Sequence, residues 1–172
     1  MADKLYFAYG SNINLEQMDY RCPDATVVGP VVLENYELLF RRGGFAPIEP
    51  KKGERVHGLL WSITPECERS LDIYEGYPRF YDKQTVTVRD GLGRELPVMA
   101  YIMDERFREP MLPTEPYYNG ILEGYRQNGL PEASLKKAWE HAVQEVHQET
   151  ERINANFTNC TRPSKRRGGY DR

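Results

Sequence analysis

A chain of 172 residues, 40% hydrophobic and 28% charged, has the length and balance of one globular domain able to bury a sizeable core. A formal net charge of −3 gives no overall basic field for nucleic acid, and no apolar run is long enough to span a bilayer. The opening MADKLYF has no charged-then-apolar leader, so a cytoplasmic protein is expected, with neither nucleic acid nor membrane as partner.

Lys4–Tyr9 alternates as a strand, with Leu5, Phe7 and Tyr9 on one face and Tyr6 and Ala8 on the other. It runs into Gly10-Ser11-Asn12. Asn14 then reads as a helix N-cap with Gln17 three residues on, as in a capping box, and the short helix Leu15–Arg21 stops before Pro23. Val27–Leu33 and Tyr36–Arg41 read as strands, with Pro30 marking a bend, bulge or edge. Gly43-Gly44 is a loop, Pro50-Lys51-Lys52-Gly53 a turn, and Val56–Ile63 a strand. Thr64-Pro65 starts a helix that ends at Gly76.

Tyr81–Val88 and Leu96–Met103 form a hairpin about Asp90-Gly91-Leu92-Gly93. MLPTEPYYNGIL has a loop-like texture of proline and tyrosine, followed by a short helix over Gly120–Gln127. From Pro131 onward Leu135, Ala138, Trp139, Ala142, Val143 and Val146 recur at helical spacing, and the pattern fades after Asn154. Trp61 and Trp139 are expected in the core. Strands this closely spaced do not fit βαβ units. The expected fold is α+β: a curved, mostly antiparallel mixed sheet forming a small barrel with flanking helices. Residues 1–150 are expected to make the domain, and 151–172 a basic C-terminal extension carrying Arg162, Lys165, Arg166, Arg167 and Arg172.

Three segments carry polar chemistry. The first is Tyr9-Gly10-Ser11-Asn12, where a glycine permits a turn that a Cβ would block and amide N–H groups between strand and helix can hold an anion or oxyanion. The plainer alternative is an Asx-type turn that only closes the strand. The second is Glu75, at a helix C-terminus that disfavours a carboxylate and beside Tyr74, Tyr77, Phe80 and Tyr81. That setting raises a carboxyl pKa toward use as a general acid or base, and its alternative is a solvated surface glutamate. The third is Pro116-Tyr117-Tyr118, whose tyrosines are either a pocket lid or packing or rim residues. GxSxG, HExxH, phosphate-loop and dinucleotide motifs are missing, and Cys22, Cys67 and Cys160 have neither CxxC nor zinc spacing, so isolated reduced thiols are expected.

Taken together, YFAYGSN at Tyr6–Asn12, GGFAPIEPKKGERVHGLLW at Gly43–Trp61, LDIYEG at Leu71–Gly76, Tyr101-Ile102-Met103, Tyr117 and NGLP at Asn128–Pro131 resemble the gamma-glutamylcyclotransferase-like superfamily, which includes the plant avirulence-induced-gene-like proteins. Ile13, where relatives often carry Leu or Met, is a mild departure, and the segment after Asn154 has no counterpart. The resemblance implies a barrel-like sheet around a small cavity, with Glu75 as catalytic residue and Tyr6, Tyr9, Gly10, Ser11, Asn12 and Tyr117 as substrate-binding residues. It implies a small γ-glutamyl substrate whose α-amine attacks its own γ-carbonyl, releasing 5-oxoproline and an amine or amino acid, with neither metal nor cofactor. It also allows a homodimer, since relatives are often dimers. Two alternatives stand beside it: a non-catalytic module of the same fold that binds a small carboxylate, and a cyclotransferase restricted to γ-glutamyl amines. Arg41, Arg42, Arg79 and the Pro110–Tyr118 loop are candidates for the leaving-group side.

Overall fold

A computed structural model describes residues 3–160, so the basic residues expected in the terminal extension, from Arg162 onward, lie outside the described part. Five strands close into a barrel: β1 (Lys4–Ala8), β2 (Thr26–Leu38), β3 (Ile48–Ile63), β4 (Tyr81–Asp90) and β5 (Glu95–Met103), in the order β1-β3-β2-β4-β5. Neighbours pair antiparallel, except where β5 returns to β1 in parallel at Tyr6 and Met99. Closure removes the free edges that an open sheet of this size would present. The helices are α1 (Leu15–Arg21), α2 (Pro65–Glu75), α3 (Glu115–Gln127) and α4 (Glu132–Cys160). None of the described helices is long and apolar enough to cross a membrane.

The strand boundaries differ from the sequence reading for identifiable reasons. The two strands expected over 27–41 are one strand, β2, with bulges between Val27 and Gly29 and between Glu34 and Tyr36. Pro30 sits beside the first bulge and still pairs with Leu59. The second bulge also absorbs the expected turn at Pro50–Gly53. Tyr36 pairs with Pro50 and Glu34 with Arg55, so the chain from Lys51 to Glu54 loops out opposite Asn35. Gly53 takes φ +85° there and its N–H donates to Asn35 Oδ1 at 3.0 Å. The alternation of β1 separated two faces, yet Tyr6, Phe7, Ala8 and Tyr9 are all buried, because a barrel wall covered by helices hides both faces.

Helix termini follow local chemistry closely. Thr64 caps α2 by accepting from the Cys67 N–H at 3.1 Å, Pro65 opens the helix, and Gly76 ends it in the left-handed region at φ +64°. Asn14 caps α1 by accepting from the Gln17 N–H at 3.0 Å. The capping box is only half formed, because Gln17 Oε1 accepts from Arg21 instead. α3 begins five residues before the expected start, at Glu115, where Thr114 is the cap and Pro116 sits in the first turn. Pro116, which read as loop, thus helps to open a helix, and Tyr117 and Tyr118 belong to that helix.

α4 continues to Cys160, past the point where the sequence pattern fades. Leu135, Ala138 and Ala142 anchor it, and every residue from 151 to 160 is exposed. Trp61 is buried as expected. Trp139 is not core: it is 41% exposed, because the anchoring face is centred on the small residues Ala138 and Ala142.

Candidate active site

The strand-to-helix junction is built around buried polar groups. The Ser11–Ile13 segment forms one tight turn, closed by the Ile13 N–H donating to the Gly10 carbonyl and the Asn14 N–H to the Ser11 carbonyl. The N–H groups of Gly10, Ser11 and Asn12 have no acceptor among the described residues. Trp61 Nε1 donates to the Asn12 carbonyl at 3.0 Å and pins the turn to β3. The role expected for Gly10 needs correcting. Its φ is −111°, outside the left-handed region, and a Cβ would stand 3.6 Å from Tyr117 Oη, at ordinary contact. A side chain there would project among the groups lining the cavity, so glycine keeps space open rather than permitting the bend.

Glu75 is the last residue of α2, and its side chain turns toward this junction. Asn12 Nδ2 donates to Glu75 Oε1 at 3.2 Å and to Tyr6 Oη at 2.9 Å. Asn12 Oδ1 accepts from Arg21 Nη1 at 2.7 Å, and the same Nη1 lies 3.2 Å from Ser11 Oγ. The Arg21 guanidinium stacks 3.7 Å above the Tyr74 ring, whose hydroxyl is 3.0 Å from Ser11 Oγ. Burial raises the Glu75 carboxyl to about 7, against the opposing pull of Arg21 and the Asn12 hydrogen bond. Burial likewise pushes the Tyr6, Tyr9, Tyr81 and Tyr117 hydroxyls above the ordinary tyrosine range, so they remain neutral.

A cavity of about 640 Å³ opens over these groups. All seven residues expected from the sequence line it: Glu75 with Tyr6, Tyr9, Gly10, Ser11, Asn12 and Tyr117. Tyr117 accepts from the Ala46 N–H at 3.2 Å, while Tyr118 faces away and packs on Phe40. Tyr9 donates to the Tyr101 carbonyl, and Tyr101 Oη to Asp72 Oδ1 at 2.6 Å, which ties the β1 end to β5 and α2. Of the three arginines offered for the leaving-group side, only Arg42 lines the cavity. Arg41 is buried in a pair with Glu145 at 2.7 Å, and Arg79 is exposed away from the lining.

Sequence reasoning missed Arg21. Its sequence trace was a cation in the last turn of a helix that begins just beyond the Gly-Ser-Asn turn. It also missed Phe45 and Phe107 on the far wall, which no periodicity marks, whereas Met111 falls in the Pro110–Tyr118 loop offered for the leaving-group side.

Residues 6–119 match the family model described as "Gamma-glutamyl cyclotransferase, AIG2-like". The chain belongs to this family. It is 33% identical over 144 residues to the gamma-glutamylcyclotransferase of Bos taurus, covering 77% of this chain and 76% of that protein. Against the Homo sapiens gamma-glutamylcyclotransferase the identity is 32% over 138 residues, 74% of this chain and 72% of the relative. A solved structure titled gamma-glutamyl cyclotransferase superposes with a TM-score of 0.71 at 29% identity, covering 79% of this chain and 86% of the other. The closed five-stranded mixed barrel with four helices is thus the gamma-glutamyl cyclotransferase fold, and the matched span contains the junction loop, Glu75 and Tyr117.

Proposed function

We propose that this protein is a γ-glutamylcyclotransferase that closes the γ-glutamyl unit of a small substrate to 5-oxoproline and frees the amine or amino acid attached to it. The observation that carries this reading is one carboxylate, Glu75, held 3.2 Å from the Asn12 amide nitrogen beside a turn whose three N–H groups have no acceptor among the described residues.

In the ground state the Glu75 carboxylate receives the substrate's α-ammonium. It takes one proton, and the freed amine attacks the γ-carbonyl carbon within the same molecule. The new C–N bond closes a five-membered ring as the carbonyl π pair moves onto oxygen. N–H groups of the Gly10–Asn12 turn suit that oxyanion or the α-carboxylate. Glu75 returns its proton to the departing nitrogen, the old C–N bond breaks, and the ring nitrogen's second proton leaves with the amine, which departs as an ammonium ion. The carboxylate ends as it began, and no enzyme nucleophile is used.

A positioned base of this kind contributes roughly 10²–10⁴ in rate, and folding the glutamyl chain into the attacking geometry contributes further. A carboxyl poised at about 7 suits both halves of the task, since it is a base strong enough to take a proton and an acid strong enough to return it.

The test is incubation of the purified protein with γ-glutamyl dipeptides and γ-glutamyl amines, followed by chromatographic detection of 5-oxoproline. Stoichiometric 5-oxoproline and free amine are expected, with glutamate not formed. Release of glutamate instead would mean hydrolysis, and no product from either class would reject the reading.

A further inference from the structure

A γ-glutamyl unit fills only a fraction of a cavity of about 640 Å³, a size typical of sites for much larger ligands. Two aromatic walls lead away from the polar end. On one, Phe80 lies beside Gly76, next to Glu75, and its ring centroid is 4.7 Å from that of Phe107. On the other, Tyr117 stands over Gly10 and meets Phe45 edge-on at 5.6 Å. Both walls reach the same chain segment. The Arg42 guanidinium sits 5.3 Å from the Phe107 centroid, and the adjoining Gly43 N–H donates to Met111 Sδ at 3.2 Å.

Among the described residues that line the cavity, Arg42 is the one cation and Glu75 the one carboxyl group. Its side chain is 54% exposed, and apart from the Phe107 ring its charged partner among the described residues is Glu109, itself 63% exposed, at 3.9 Å. Such a pair is weak and readily exchanged for a ligand carboxylate. Phe45, Phe80 and Met111 are each over two-fifths exposed although they belong to a cavity wall.

From this geometry we infer that the outer half of the cavity is a leaving-group subsite selective for an amino acid with a large apolar or aromatic side chain, held between Phe45 and Phe107 with its carboxylate on Arg42. This rests on the cyclotransferase reading of the same site. Small leaving groups leave the walls wet, and amines without a carboxylate leave Arg42 to Glu109. Side-chain burial against such walls discriminates by roughly 10–100-fold.

Turnover of γ-glutamyl-phenylalanine, γ-glutamylglycine and γ-glutamyl-phenethylamide separates the parts of this proposal. The expected kcat/KM for γ-glutamyl-phenylalanine is at least about tenfold above either of the others. Phe107→Ala removes its advantage over γ-glutamylglycine, and Arg42→Ala removes its advantage over the phenethylamide. Equal kcat/KM for all three overturns the subsite while leaving the reaction standing. Should none give 5-oxoproline, the reaction falls, and calorimetric binding of the same compounds to the Glu75→Gln protein decides the subsite alone. A retained preference for γ-glutamyl-phenylalanine supports it, and equal affinities overturn it.

Discussion

The side-chain amide of Asn12 can face either way, and Arg21 decides which. Arginine has no acceptor, so the Asn12 atom 2.7 Å from Arg21 Nη1 is the oxygen, and the nitrogen must face Glu75 and Tyr6. Arg21 is thus a positioning residue twice over: it aims the Asn12 donor, and its charge draws the Glu75 carboxyl down from where burial alone would set it. Replacing it with Met is expected to move the acid limb of the pH–kcat/KM profile to higher pH and to lower kcat/KM at pH 7 by about tenfold. Arg21→Lys keeps a cation without the two-nitrogen fork, and should restore the limb more fully than the rate. A limb unmoved in Arg21→Met would show that the guanidinium does not act on Glu75. Glu75 and the Gly-Ser-Asn turn stood out as candidates because an acid at a helix end and small residues at a strand end are both locally odd, but each left a plainer reading open, and the family resemblance is what singled them out. Arg21 was not legible, since a cation in a last helical turn is ordinary and its partners Ser11 and Asn12 precede the helix, at the far end of it in sequence.

Among the elements, β1 and α2 bring the site together, and their contacts are close. A Cβ on Gly58 would stand 2.3 Å from the Ala8 carbonyl oxygen and the Phe7 ring, at the Ala8–Leu59 end of the β1–β3 pairing, next to the junction loop. Gly58→Ala is therefore expected to destabilise by about 2–4 kcal/mol, read as a loss of denaturation midpoint in urea. An unchanged midpoint would mean β1 can shift without cost. α4 behaves oppositely. None of its residues lines the cavity, and everything from 151 to 160 is exposed. Truncation after Asn154 is expected to leave 5-oxoproline production within about twofold of the full chain, and loss of activity would contradict that separation. At this scale the sequence revealed the capped starts of α1 and α2 and the β4–β5 hairpin, whose determinants are local. It hid the length of β2 and β3, because bulges let Pro30 and Lys51–Gly53 sit inside strands that their turn-forming residues seemed to break.

For the molecule as a whole, a carboxyl held at about 7 is an electrostatic load on folding. The folded state binds that proton more tightly than the unfolded chain, whose glutamates titrate near 4.5. Stability from this group is therefore fully present below about 4.5 and is lost as pH rises through about 7. Glu75→Gln removes the load, so relative to wild type it should gain on the order of 2–3 kcal/mol between pH 4.5 and pH 8. Calorimetric unfolding at the two pH values reads this, and a variant no better placed at pH 8 would mean the carboxylate is not strained in the native barrel. The closed topology itself follows from residues far apart in sequence: the parallel Tyr6–Met99 contact shuts the barrel, and no local pattern marks it.

The pH dependence of kcat/KM for 5-oxoproline release, run side by side on wild type and Glu75→Gln, bears most directly on the proposed chemistry. The expected wild-type profile rises with pH to a plateau with a midpoint near 7, as the carboxyl loses its proton. The expected Glu75→Gln profile lies roughly 10²–10⁴ lower and lacks that limb. A Glu75→Gln protein that turns over at the wild-type rate, with the limb intact, would contradict a base at position 75.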